Sequence, residues 1–317
     1  MSGARDESEP EPTDAVLRRL ATTLDHLPAL AGEPREVLAL EGGLTNFNFK
    51  VTTPERTAVV RLSSSDGDLL AIDREAEHVN SLRAAESGAA PAVVDYLPDH
   101  HALVVEWVEG RTLVADDLHD PAMLTRVADV CRVLHAGPRF QGDFDMFAVQ
   151  RRYLAIVRDR GFRLPDRYLD LLPQADRIAA ALAVRAGPTV PCNNDLLAAN
   201  FIDDGDRLWV IDYEYGGNND PSFELGNIWQ ESDLTLDELE HLVDAYVGRH
   251  LRHQVARARL LGTMARYGWT LWASIQASVS PIDFDFWSWG MEKYVRAVEE
   301  LDGPDLESLL AEAVRPD

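Results

Sequence analysis

The chain has 317 residues, 46% of them hydrophobic and 26% charged, with a formal net charge of -24 and a pI near 4.6. At roughly 100 to 200 residues per domain that length supports a large core and two lobes, and the composition is globular, which excludes fibrous and disulfide-framed classes. So acidic a surface repels nucleic acid and anionic membranes, and it either draws in a small cation at range or serves only to keep the protein soluble.

The N-terminal residues MSGARDESEPEPT are acidic and Pro-containing where a signal peptide would be basic and then apolar. They carry too few apolar groups to order themselves, so residues 1–13 are expected to be a disordered tail. No apolar run approaches the roughly 18 residues of a spanning helix. Cys131 and Cys192 lie far apart in the sequence without metal-ligand spacing, which fits a reducing compartment. The expectation is a cytoplasmic protein with no membrane insertion.

From Asp14, the apolar positions Val16, Leu17, Leu20, Leu24 and Leu27 recur at helical spacing behind an Asp cap and predict one helix beside the first lobe. REVLALEGGLTNFNFKVTTPERTAVVRLSS follows, with two β-rich runs around Gly42 and Gly43 and a third from Ala58 to Leu62. Paired glycines between strands either make a hairpin turn or let backbone N–H groups approach a phosphate without a Cβ in the way. Ile72 to Gly88 reads as a helix with an acidic first turn. Within it Glu75 has Val79 and Leu82 four and seven residues on, which puts Glu75, rather than Glu77, on the face shared with core positions. Ala92 to Leu113 gives two strands around a polar turn at Pro98 to His101, where His100 and His101 are expected to face solvent. Helical patterns dominate from Val114 onward: Pro121 to His135, ended by Gly137 and Pro138, then Phe147 to Arg160 and Tyr168 to Val184.

The segment from Pro191 to Asn227 carries the chemistry. NNDLLAAN places an Asp five residues before an Asn, and the apolar run LWVID delivers a second Asp at the end of a short strand. Transfer of a phosphoryl group needs an acceptor for the hydroxyl proton and oxygen ligands for Mg2+. Asp195 suits the first task, Asn200 with Asp212 the second. Further helices run from Leu236 to the end. Among them Trp269 and Trp272, three apart, fall on one helical face, with Trp287 and Trp289 beyond; such a cluster serves either core packing or binding.

The NNDLLAAN segment followed by Asp212 resembles the catalytic loop of the protein-kinase-like fold, in the form used by choline/ethanolamine kinases and aminoglycoside phosphotransferases. WTLWASIQASVSPIDFDFWSW is similar to the C-terminal signature of choline kinases. Roughly residues 37–300 carry the resemblance. Two positions depart from it: Asn193 stands where the family usually has a structural His, and Trp289 where it commonly has Tyr.

The resemblance implies an α+β bilobal fold, with a small β-rich nucleotide-binding lobe and hinge over residues 14–110 and a larger, mainly helical lobe over 111–317. It also implies transfer of a phosphoryl group from ATP, with Mg2+, to the hydroxyl of choline or a related amino alcohol, so that Asp195 is the base and Asn200 and Asp212 hold the metal. The ATP site then comprises Gly42, Gly43, Thr45, Asn46 and Asn48 in the loop over the phosphates, and Arg61 as the strand cation, fixed by Glu75. Backbone groups of Glu106 and Val108 meet the adenine. Tyr215, Glu231, Trp269, Trp272 and Trp289 form the acceptor cage. A quaternary ammonium donates no hydrogen bonds, so aromatic faces and a carboxylate are what can recognise it. An aminoglycoside or other small-molecule phosphotransferase would need an acidic, hydroxyl-reading pocket instead. Asn193 alone favours a catalytically silent pseudokinase. The expected partner is a small cationic amino alcohol and not nucleic acid, and a homodimer stays open.

Overall fold

The computed structural model describes residues 13–31, 34–40, 46–63, 69–280 and 282–316. Gly42, Gly43 and Thr45 of the expected phosphate loop, and residues 1–12 of the expected tail, lie outside them. Thr13, counted with the tail, is instead the cap of helix α1 (Asp14–Asp25), its hydroxyl accepting the Val16 N–H. Leu20 and Leu24 of α1 are buried against the sheet that follows, whereas Leu17 faces outward.

That sheet has five antiparallel strands: β1 (Glu36–Leu40), β2 (Asn46–Thr52), β3 (Thr57–Ser63), β4 (Val93–Leu97) and β5 (Ala102–Glu106), in the order β1-β2-β3-β5-β4. Period-two alternation divides its residues. Phe49, Val51, Ala58, Val60, Leu62, Ala102 and Val104 build the core with α1. Asn48, Val59, Arg61, Leu103 and Val105 face a cleft on the other side. Helix α2 (Arg74–Ser87) links β3 to β4, capped by the Asp73 carboxylate on the N–H groups of Glu75 and Ala76.

Beyond β5 the chain crosses to a mostly helical part through the short strand β6 (Arg111–Thr112). A side chain at Gly110 would meet the Asp203 carbonyl at 2.6 Å, so glycine permits this close crossing. Helices α3 (Pro121–His135), α4 (Met146–Arg160) and α5 (Leu172–Val184) follow. The continuous helix expected from Tyr168 is a 3-10 turn (Tyr168–Leu171) and then α5, because Pro173 stands in the first turn of a new helix. Two small ribbons come next. Strand β7 (Val190–Cys192) pairs with β10 (Gly217–Asn219), and β8 (Phe201–Asp203) pairs with both β6 and β9 (Leu208–Val210).

The last layer consists of α6 (Pro221–Glu231), α7 (Leu236–Val247), α8 (Arg252–Val279), α9 (Phe286–Leu301) and α10 (Leu306–Ala313). Helix α8 is buried on all sides from Leu260 to Gln276, so it is the central post against which α4, α6 and α9 pack. No helix among the described residues is long and apolar enough to cross a membrane.

Helices α6 and α8 touch backbone to backbone at Gly226 and Gly262. A Cβ on Gly226 would overlap the Ala258 carbonyl and lie 2.7 Å from the Gly262 nitrogen. Gly226→Ala is therefore expected to destabilise the fold by about 1–3 kcal/mol, as overpacking does. Thermal melting measures it, and a Tm equal to that of the parent would show that the two helices separate without cost.

Candidate active site

The chain leaves β7 at Cys192 and turns through Asn194, whose φ of 69° lies in the left-handed region that Asn tolerates. The Asn194 amide donates to the carbonyls of Cys192, Tyr215 and Gly217, and its oxygen accepts from Asn219. Glu224 in the first turn of α6 accepts the N–H groups of Asn193 and Asn194, each at 2.8 Å. His135 of α3 lies 3.6 Å from the Cys192 sulfur and 3.7 Å from Glu224, with its other ring nitrogen 2.7 Å from the Tyr246 hydroxyl. These buried groups hold the loop from behind.

Asn193, the departure from His, is fully engaged. Its amide donates to the carbonyls of Ile211 and Asp212 at 3.1 and 2.7 Å, and its oxygen accepts the Asp195 N–H at 3.0 Å. One side chain thus ties the loop to the strand end that carries the second Asp. On the far side of Asp195, the Asn200 amide donates to the Asp195 carbonyl at 2.7 Å. Asp195, Asn200 and Asp212 line one cleft of about 590 Å³. Burial, and then the charges of Glu231, Asp212 and Glu214, hold the Asp195 carboxyl well above the usual range, with Lys293 acting the other way.

Asp212, also left-handed at φ 65°, pairs with Arg61 at 2.6 Å. Arg61 reaches Glu77 at 3.0 Å and Glu214 at 3.4 Å, and Arg74 bridges Glu77 and Glu214 at 2.7 and 3.2 Å. Burial opposes the charge on Arg61, but Asp212, Glu77 and Glu214 outweigh it and the guanidinium stays charged. Three acid side chains thus meet two guanidinium groups, and burial followed by the charge of Asp212 pushes the Glu214 carboxyl above its ordinary range against the pull of Arg61 and Arg74.

The helix acid is thus Glu77, and the expectation of Glu75 is corrected. Glu75 is exposed, while Glu77 is buried on a face with Asn80, Ser81 and Ala84. The apolar residues used to orient the helix mislead because Leu82 is 45% exposed: this helix turns its polar face inward, onto the ionic network. Asn46 also differs from expectation. Its side chain is bound to Glu214 and Arg74 at 2.9 and 3.1 Å, while Asn48, within strand β2, lines the cleft.

Glu106 and Val108 line the cleft beside Val59, Val105, Ile202 and Ile211, a slot of apolar walls suited to a flat base. The Glu106 N–H is spent on the Ala92 carbonyl at 2.8 Å, so it is not available to a ligand in the cleft. At the other end stand Tyr215, Glu231, Trp269, Trp272 and Trp289. The indole N–H of Trp272 donates to the Tyr215 hydroxyl at 2.9 Å, and that of Trp269 to Asn227 at 3.4 Å. Trp272 and Trp289 meet edge to face at 5.6 Å, as do Tyr215 and Trp269 at 5.0 Å. The N–H groups of Trp269 and Trp272 are thus bound to neighbouring side chains, and all three indoles line the cavity. Glu231 is paired with Lys293 at 2.7 Å.

Sequence reasoning passed over Arg74, Glu214, Glu224, Asn194 and Lys293. Glu214, two residues after Asp212 in IDYE, and Lys293, one helical turn after Trp289, carry a local signal.

The profile of the phosphotransferase enzyme family matches residues 36–262. The chain is 26% identical to Protein LicA of Haemophilus influenzae over 251 residues, covering 74% of this chain and 72% of that one. It is 24% identical to ethanolamine kinase 1 of Mus musculus over 336 residues, covering 92% and 90%. A choline/ethanolamine kinase family protein from Mesorhizobium loti superposes with a TM-score of 0.83 at 29% identity, over 94% of this chain and 99% of that one. With a family match over most of its length and a kinase-like cleft of this construction, the chain belongs to the phosphotransferase enzyme family and is a small-molecule kinase of the choline/ethanolamine kinase type.

Proposed function

We propose that the protein transfers the γ-phosphoryl group of ATP, with Mg2+, to the hydroxyl of choline or a close N-methylated amino alcohol. The observation that carries the acceptor is the residue set at this end of the cavity: three tryptophans and a tyrosine, with the Trp269 and Trp272 N–H groups and the Tyr215 hydroxyl bound to neighbouring side chains, beside the Glu231 carboxylate. Such walls hold a methylated ammonium through its charge and its methyl groups. They offer too few acceptors for a polyhydroxylated aminoglycoside.

The residues fit a hard divalent cation. Asp212 has one oxygen on Arg61, and Asn200 spends only its N–H group on Asp195, so a carboxylate oxygen and an amide oxygen remain at the cleft. When bound, Mg2+ offsets the charge of the phosphate oxygens. The chain's own residues do the rest. The apolar slot holds the base, Arg61 adds positive charge beneath the phosphates, the cage fixes the ammonium, and Asp195 orients the hydroxyl and takes its proton at the carboxylate. Because Asn193 supports the loop from both sides, the structural feature that favoured a silent pseudokinase loses its force.

ADP release measured with choline, its less methylated relatives and aminoglycosides tests this reading. Choline-dependent ADP is expected. Release with an aminoglycoside but not with choline would sink it. Trp272→Leu should raise the acceptor KM by roughly 2- to 30-fold, the equivalent of about 0.5–2 kcal/mol of cation–π attraction, with the ATP KM held. A fall in Tm with both KM values unchanged would make Trp272 a core residue and withdraw choline.

A further inference from the structure

Lys293 was not among the expected site residues, yet it stands against two of the groups that define the acceptor cage. It follows Trp289 by one helical turn on α9, so its side chain leans back over that ring. The ammonium lies 4.4 Å from the Trp289 ring centre, 2.7 Å from one Glu231 oxygen and 3.5 Å from the Gln230 side-chain oxygen. Lys293 is 9% exposed. The second Glu231 oxygen accepts from the Gln230 amide. Both oxygens of the cage carboxylate are therefore engaged before any acceptor enters.

We propose that Lys293 is a specificity-determining residue: by holding Glu231 and covering a face of Trp289, its ammonium withholds the carboxylate from N–H donors and biases the pocket toward fully methylated ammonium acceptors. The proposal rests on the reading of this cavity as an amino-alcohol site. A primary ammonium brings three N–H donors that need acceptors once water is stripped away. The cage offers few. The Trp269 and Trp272 edges are donors, the Tyr215 hydroxyl already accepts from Trp272 and is hydrogen-bonded to Tyr153, and Glu231 is shared between Lys293 and Gln230. A trimethylammonium group has no such need and is held by the ring faces. Occupation of Glu231 thus penalises one acceptor class and spares the other.

The test compares kcat/KM for choline and ethanolamine, at saturating ATP, in the wild type and in Lys293→Met, Lys293→Gln and Lys293→Arg. The Met and Gln variants should lower the choline-to-ethanolamine kcat/KM ratio by about tenfold, chiefly through a lower ethanolamine KM with the ATP KM held, because Glu231 becomes free to accept. A fall in kcat from loss of the Lys293 charge near Asp195 is common to both acceptors and cancels in the ratio. The Arg variant should keep the wild-type ratio. Gln removes the ammonium but keeps a polar, uncharged side chain of similar bulk, and so guards against misfolding of the Met variant. An unchanged or increased ratio in Met and Gln would overturn the proposal, as would loss of a cooperative melt in both, which would assign Lys293 to stability. Turnover of neither acceptor by the wild type would instead overturn the amino-alcohol reading on which the proposal stands.

Discussion

Asp195→Asn is expected to lower kcat by about 100- to 10,000-fold, the range a positioned general base contributes, while ATP binds as before. The substitution keeps the shape of the side chain and both backbone bonds that place it, the N–H to Asn193 and the carbonyl from Asn200. Groups facing the nucleotide are untouched. Stability supplies the control. Glu231, Asp212 and Glu214 all repel a charge on Asp195, and burial opposes it too. Removal of that charge should therefore leave Tm equal or higher. A loss of activity with a held or raised Tm marks a residue kept for chemistry against its cost to folding. Retention of more than about a tenth of the wild-type turnover would show that another group takes the proton.

How much of this was legible in the sequence depends on how far apart the cooperating residues lie. Helix α3 is bounded as expected at Pro121 and His135, because its start and stop signals are local. The strand pair around Pro98 to His101 is equally local. The three polar residues of the catalytic segment could be read together because one loop and one ribbon hold them all. Glu77 could not. Its partner Arg61 is on another element, and the rule that apolar residues face inward fails where the interior is an ionic network. Glu224 and His135 converge on the loop from helices α6 and α3, and no spacing announces that meeting. Lys293 is intermediate. Its place one turn after Trp289 is readable, but Glu231, 62 residues away, is not.

Asp212→Asn should lower turnover by about 100- to 1,000-fold, since charge stabilisation by a bound metal is worth several kcal/mol and each decade corresponds to about 1.4 kcal/mol. Asn is the informative replacement. It accepts the left-handed backbone at this position more readily than Ala and keeps an amide oxygen at the cleft. What disappears is the charge, and with it the pairing with Arg61 at 2.6 Å. Arg61 retains Glu77 and Glu214, so the fold should hold. Two binding measurements then move in opposite directions. Without Mg2+, ATP should bind as well as before or better, because a carboxylate no longer repels the phosphates and a guanidinium is released toward them. With Mg2+, the gain in affinity shown by the wild type should shrink, and the Mg2+ concentration for half-maximal rate should rise. Asn200→Ala should raise the Mg2+ requirement less, because it removes a neutral ligand. It also frees the Asp195 carbonyl and loosens the base, so its fall in kcat should persist at saturating Mg2+. An Asp212→Asn enzyme with the wild-type Mg2+ dependence would remove Asp212 from the metal site and leave it as a counterion to Arg61.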